Sequence, residues 1–407
     1  MHADTQESAI AAENTDIAGH LSSVAERDRR HGALREQMNA YNLDALLIAA
    51  RGDASSRGRL TYLANIRNFV EPCSIMLLPL EGAPVLFMDP VRIYALPDWI
   101  PDVRATEDRG RELAICMSEL GLAKSRIGTI GFEDSLTLKD WRSLSKGMPN
   151  AVFHPADSIY EAATCRKSKE EVSALRHSAA IVRRAADALE GLLRPGVLPV
   201  ELIAEAHRSL RLDGCADAAV AFSRRPFQGL GCRAGGWLIG GTAPDPAPLA
   251  RDDLIVIEMD VAGPEGYWVE IRRRYRFSAF PDDERRFWDM RCEAFDRAFA
   301  LMKPGVDSAE LEQAINEVYR RNGYSNHGQV SLHAHGTGVN AVEAPTCPGA
   351  ARVLEAGMAI VLHPLLWLER EESRALSDLS PVDAVVITDS GPIRLVDGHD
   401  ELSVVDA

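Results

Sequence analysis

Behind Ser168, apolar side chains recur at steps of three and four. Val172, Leu175, Ala179, Val182, Ala186, Leu189 and Leu193 therefore share one face of a predicted helix. Ser168 and Glu171 supply a capping box for its start, and Arg194-Pro195-Gly196 predicts its end. Upstream the pattern differs, with short apolar runs of strand length between helical stretches. Residues 26–42 predict a helix, and 43–50 a strand closed by Arg51-Gly52-Asp53. Residues 74–80 and 84–88 predict two strands around Glu81-Gly82, and 127–132 another strand before a helix starting at Asp134. This alternation predicts an α/β domain ending near residue 157.

The second half repeats itself. Residues 193–214 read LRPGVLPVELIAEAHRSLRLDG and residues 302–323 read MKPGVDSAELEQAINEVYRRNG. The Pro-Gly-Val turn, the pairs Glu201-Leu202 and Glu310-Leu311, and the closing Gly214 and Gly323 share one register. An internal duplication explains this, and two similar halves folded together form a cleft where side chains from both converge.

Composition narrows the picture. A chain of 407 residues is long enough for two domains. The predicted division is an N-terminal arm over 1–25, expected to be flexible, a domain over 26–157 and a second over 158–407. Sixty acids against 45 bases give a net charge of −15, which argues against nucleic acid as a partner. The seven cysteines form no CxxC pair, so neither a zinc knuckle nor a disulfide framework is indicated, and a reducing compartment is expected. The first 25 residues carry no apolar signal-peptide core, and no run reaches the roughly 18–20 apolar residues of a membrane span. A cytoplasmic protein with no membrane partner is the expectation.

Candidate chemistry gathers in three places. Glu258 interrupts the apolar run Leu254-Ile-Val-Ile, where a carboxylate is costly without a partner, and Asp260 lies two residues on, on the same strand face. Glu270 follows Gly266-Tyr267, and Arg272 and Arg274 alternate with it as candidate anchors for a substrate carboxylate. The remaining candidates are His333 and His335 in the run His-Ala-His-Gly-Thr-Gly, Glu343 beyond it, and His363 at a strand end before Pro364.

The order and spacing of these blocks resemble the pita-bread family of creatinase, prolidase, aminopeptidase P and the methionine aminopeptidases. The similarity spans roughly residues 26–400. It implies an α/β N-terminal domain followed by an α+β pita-bread domain with internal pseudo-twofold symmetry, and a homodimer. Catalytic members hold two divalent ions with two Asp, one His and two Glu. Those positions fall here on Glu258, Glu270, His335, His363 and Val382, so His335 alone keeps the family residue. No histidine lies between His207 and His327, where the family places another, and Val342 stands where a further one is expected. The spacing of Glu258, Asp260 and Glu270 is similar to the dimethylsulfoniopropionate lyase branch, which retains both late glutamates.

A site short of two carboxylates should not bridge two ions. Creatinase, which works without metal, then implies a metal-independent hydrolase or lyase of a small non-peptide substrate, acting at a C–N bond with no cofactor. Here His335, His363, Glu258 and Glu270 are the expected catalytic residues, and Asp260, His333, Arg272, Arg274 and Glu343 the substrate-binding ones. Two carboxylates beside two imidazoles should favour at least one imidazolium near neutral pH. The alternatives are a non-catalytic ligand- or peptide-binding module, and a mononuclear metal-dependent hydrolase or lyase, or Xaa-Pro-type peptidase, with one ion on Glu258, Glu270, His335 and His363.

Overall fold

The computed structural model describes residues 22–53, 55–66, 73–90, 99–225, 247–325, 333–347, 351–366, 379–396 and 402–405. Most of the predicted N-terminal arm lies outside them. The first domain opens with α1 (Val24–Tyr41), capped by Ser23, whose side chain accepts from the Glu26 N–H. Strand β1 (Ala45–Ala50), α2 (Gly58–Ala64), β2 (Ser74–Pro79), β3 (Val85–Met88) and β4 (Asp102–Ala105) follow. Then come α3 (Arg109–Glu119), β5 (Arg126–Ile130), α4 (Leu138–Gly147), β6 (Val152–Pro155) and α5 (Asp157–Thr164).

The six strands form one sheet in the order β4-β3-β2-β1-β5-β6. Every residue of β1, β2 and β3 is buried, as in a sheet covered on both faces. The two-residue period of a strand divides them: Leu46, Ile48 and Ala50 pack with α1 and α2, while Ala45, Leu47 and Ala49 pack with Leu113 and Leu144 of α3 and α4. Helix α4 begins at Leu138 and not near Asp134. Asp134 instead takes Arg59 Nη2 at 2.5 Å, and the Thr137 side chain accepts the Asp140 N–H at 3.1 Å.

The second domain starts with α6 (Lys169–Glu190), whose Ser168–Glu171 capping box forms as predicted. Its end comes earlier than Arg194, with Gly191 as the C-cap. Helix α7 (Pro199–Leu212) leads to the antiparallel strands β7 (Asp217–Arg225), β8 (Leu254–Ala262) and β9 (Trp268–Arg276). The second half supplies α8 (Asp282–Leu301), α9 (Ala309–Arg321), β10 (Ala334–Gly336), β11 (Glu343–Cys347), β12 (Ala359–Leu362), β13 (Asp383–Thr388) and β14 (Gly391–Arg394). A last strand, β15 (Ser403–Val404), pairs with β9.

The internal repeat is visible in the backbone. Gly196 and Gly305 take φ values of 90° and 92°, and Gly214 and Gly323 both take 81°. A residue with a Cβ rarely enters this left-handed region, so both copies of each turn keep glycine. Gly196 N–H donates to Leu249 O at 2.8 Å, and Gly305 N–H donates to Leu354 O at 2.9 Å. In each half, two helices back a set of antiparallel strands, so β8 and β9 correspond to β12 and β13. Among the described residues no helix is long and apolar enough to cross a membrane.

Candidate metal centre

The β8–β9 hairpin sets the acidic side of the site. Its register places Glu258 opposite Arg272 and Asp260 opposite Glu270. The alternation of a strand then puts all four on one face. The turn between the strands runs through Gly263 and Gly266, the latter at φ 82°. A Cβ on Gly263 would come 2.5 Å from Ser178 Oγ, so the hairpin closes tightly on α6.

The second half brings the imidazoles. His335 lies in β10 opposite Val361 of β12, and its Nδ1 is 2.9 Å from Gly336 O. His363 follows β12 directly, and its N–H donates to His333 O at 2.9 Å. The His335 and His363 rings lie 5.0 Å apart between centroids. His335 Nε2 stands 3.8 Å from Glu270 Oε2. Glu270, His335 and His363 each offer a ligand atom, and the three atoms lie within 4.8 Å of one another. Glu258, Asp260 and Glu270 meet the same limit, so Glu270 belongs to both groups.

Burial sets the charge states. It would raise the pKa of Glu270, but the His335 contact and the fields of His363 and Arg272 outweigh it, and the net direction is downward. Burial pushes His363 down to about 4 against a smaller upward pull from Glu270, and His333 down to about 3. The expected imidazolium is therefore not found at His363, because loss of water costs the charged ring more than the Glu270 carboxylate returns. At neutral pH, His363 is neutral.

The other candidates are placed as follows. Arg272 Nε donates to Glu258 Oε2 at 2.6 Å, its Nη2 also contacts that oxygen, and Nη2 lies 3.9 Å from Glu270 Oε1. Arg274 is buried, donating Nη1 to Arg272 O at 2.7 Å and stacking 4.7 Å from the centre of the Trp288 ring. His333 is buried beside Tyr319. Glu343 accepts from Lys167 Nζ at 2.6 Å and from the Asn340 N–H at 3.0 Å, so both carboxylate oxygens are engaged within the fold. Lys167 carried no signal in the sequence, since its partner is 176 residues away. Val382 is buried just before β13, and the last pair of the β12–β13 ladder is Leu362–Asp383, so His363 and Val382 come next on either strand.

Residues 173–394 match the model for metallopeptidase family M24, and residues 30–166 match the creatinase/prolidase N-terminal domain. The Xaa-Pro dipeptidase of Pyrococcus furiosus is 25% identical over 279 residues, covering 67% of this chain and 75% of that protein. The crystal structure of dipeptidase PepE from Mycobacterium ulcerans superposes with a TM-score of 0.75 at 20% identity, covering 96% of this chain and 100% of the other. A prolidase from Thermococcus sibiricus gives 0.76 at 16% identity, covering 95% and 100%. These findings overturn the expectation of a metal-independent hydrolase or lyase of a non-peptide substrate that needs no cofactor. The matched family is one of metallopeptidases, and the relatives include Xaa-Pro dipeptidases.

The residues fit one divalent ion. Two imidazoles with one carboxylate are a common donor set for zinc, iron or manganese. His363 Nδ1 is buried with no hydrogen-bond partner, which is costly for a polar atom and natural for a ligand. Counting lost carboxylates had suggested that no ion binds, yet a single ion needs fewer of them than a bridged pair.

Proposed function

Because this chain belongs to metallopeptidase family M24, we propose that it is a metal-dependent hydrolase of small peptides of the Xaa-Pro type. One divalent ion would be held by Glu270, His335 and His363. The observation that carries this reading is the convergence of their three ligand atoms within 4.8 Å, with His363 Nδ1 otherwise unpaired. When bound, such an ion polarises the scissile carbonyl and lowers the pKa of a water molecule.

The chain's own groups divide the remaining work. Glu270 supplies the carboxylate ligand and is ionised at neutral pH. His363 enters as a neutral ligand, since burial has already removed its proton. Asp260, at the half-exposed edge of the cluster, is the carboxylate in place to accept a proton from the attacking water. The buried strands β10 and β12 close one side of the site against solvent. A homodimer belongs to the same reading, and light scattering at micromolar concentration tests it.

The deciding experiment is hydrolysis of a series of Xaa-Pro dipeptides by protein stripped with a chelator and then reloaded with manganese, zinc or cobalt. Turnover should vanish on stripping and return on reloading, and His363→Ala should bind no ion. Undiminished turnover after exhaustive chelation, or no dipeptide cleavage with any of the three metals, would sink the reading.

A further inference from the structure

We propose that Arg272 is the resident cation of the acid group Glu258–Asp260–Glu270, so that the site accepts one divalent ion and not two. The inference rests on the metallohydrolase reading for its first ion, but the occupancy of the acid group is a separate matter with a separate test.

The geometry begins with strand register. Glu258 and Arg272 face each other directly across the β8–β9 ladder, and Asp260 faces Glu270 at the next pair on the same face. The guanidinium is thus fixed by backbone pairing and does not depend on a surface side chain folding over. Its Nε and Nη2 both engage Glu258 Oε2, and Nη2 reaches to 3.9 Å from Glu270 Oε1. The Arg272 side chain is 10% exposed, so this contact is shielded from water and salt. Glu270 Oε1 faces the guanidinium while Glu270 Oε2 faces His335. One carboxylate therefore spans two cationic positions, one already filled by a side chain.

Charge points the same way. Glu258, Asp260 and Glu270 bring three carboxylates together, and Arg272 already meets two of them. A second ion among those carboxylates would lie against a guanidinium that cannot lose its proton. Among the described residues, the ladder positions next to the last pair of β12 and β13, Leu362–Asp383, are His363 and Val382, neither of which is a carboxylate.

The test counts ions and needs no assay of activity. Stripped full-length protein is titrated with manganese by calorimetry, and the retained metal is measured after gel filtration. Wild type should retain one equivalent. Arg272→Gln, which removes the charge while keeping much of the side chain, should retain two, and Arg272→Lys should return to one. The double variant Arg272→Gln/His363→Ala isolates the acid group and should retain one equivalent where His363→Ala alone retains none. Two equivalents in wild type, or no gain of an ion in either Arg272→Gln background with circular dichroism unchanged, would overturn the proposal. If Arg272→Gln is unfolded, Arg272→Met takes its place in both backgrounds with the same expected counts. A wild type that retains no ion, with a double variant that retains one, would leave the role of Arg272 standing and remove the Glu270–His335–His363 centre.

Discussion

Lys167 and Glu343 meet in an ion pair of 2.6 Å with side chains only 2% and 7% exposed, joining the segment before α6 to β11. Lys167 Nζ also donates to Thr164 O at 2.6 Å, and Glu343 accepts the Asn340 N–H, so the pair is satisfied on both sides. Removing one partner strands the other charge in the interior. Glu343→Ala should cost about 3–5 kcal/mol of folding stability, whereas Lys167→Met/Glu343→Leu should cost far less. Urea denaturation of the three proteins checks this. Equal losses in the single and double variants would mean that packing around Glu343, and not the stranded ammonium, sets the cost.

Gly336 governs how closely β11 approaches the strand that carries His335. A Cβ there would lie 2.4 Å from Ala344 O, a backbone atom that cannot swing aside. Gly336→Ala should force β10 and β11 apart, at a cost of about 1–3 kcal/mol. It should also weaken manganese binding, because the His335 ring is braced against Gly336 O. Calorimetry reporting unchanged affinity in a destabilised variant would show that His335 is positioned from the β12 side alone.

His31 on α1 is buried, and its Nε2 lies 2.7 Å from Leu63 O. Burial lowers its pKa, with a smaller upward pull from that carbonyl. The unfolded chain therefore binds this proton more readily than the folded one. The contribution of His31 is fully present above the unfolded pKa of about 6.5 and is lost as pH falls towards the folded value. His31→Gln, which keeps a donor for Leu63 O, should remove that part of the acid sensitivity. Denaturation curves at several pH values between neutral and mildly acidic should converge for the two proteins as pH falls. Parallel curves would assign the acid response to other groups.

Much of the architecture was legible because the signals were local. The Pro-Gly-Val turns demand positive φ at Gly196 and Gly305, and the chain spells that demand twice. Glu270, His335 and His363 were legible as polar residues set into or at the ends of apolar strands, where burial without a purpose is costly. The rest depended on distance and environment. Asp134 looked like a helix start, but Arg59, 75 residues earlier, claims its carboxylate. Glu343 looked available to a substrate until Lys167 closed on it. Arg272 looked like a free anchor until the ladder set it opposite Glu258. No pattern along a chain reveals how far an imidazole is desolvated, and the neutrality of His363 follows from that.

The duplicated halves have parted company in the donors they present. Among the described residues, the strands of the first offer oxygen, from Glu258, Asp260 and Glu270, and the second offers nitrogen, from His335 in β10 and His363 just after β12. Magnesium and calcium, which seek oxygen alone, find in this cleft an acid group that already holds a guanidinium. Borderline ions such as zinc or iron could draw on both halves at once. On the reading proposed above, discrimination among metals would follow from how the two copies diverged, and an ion of the right kind would act as a clasp between them.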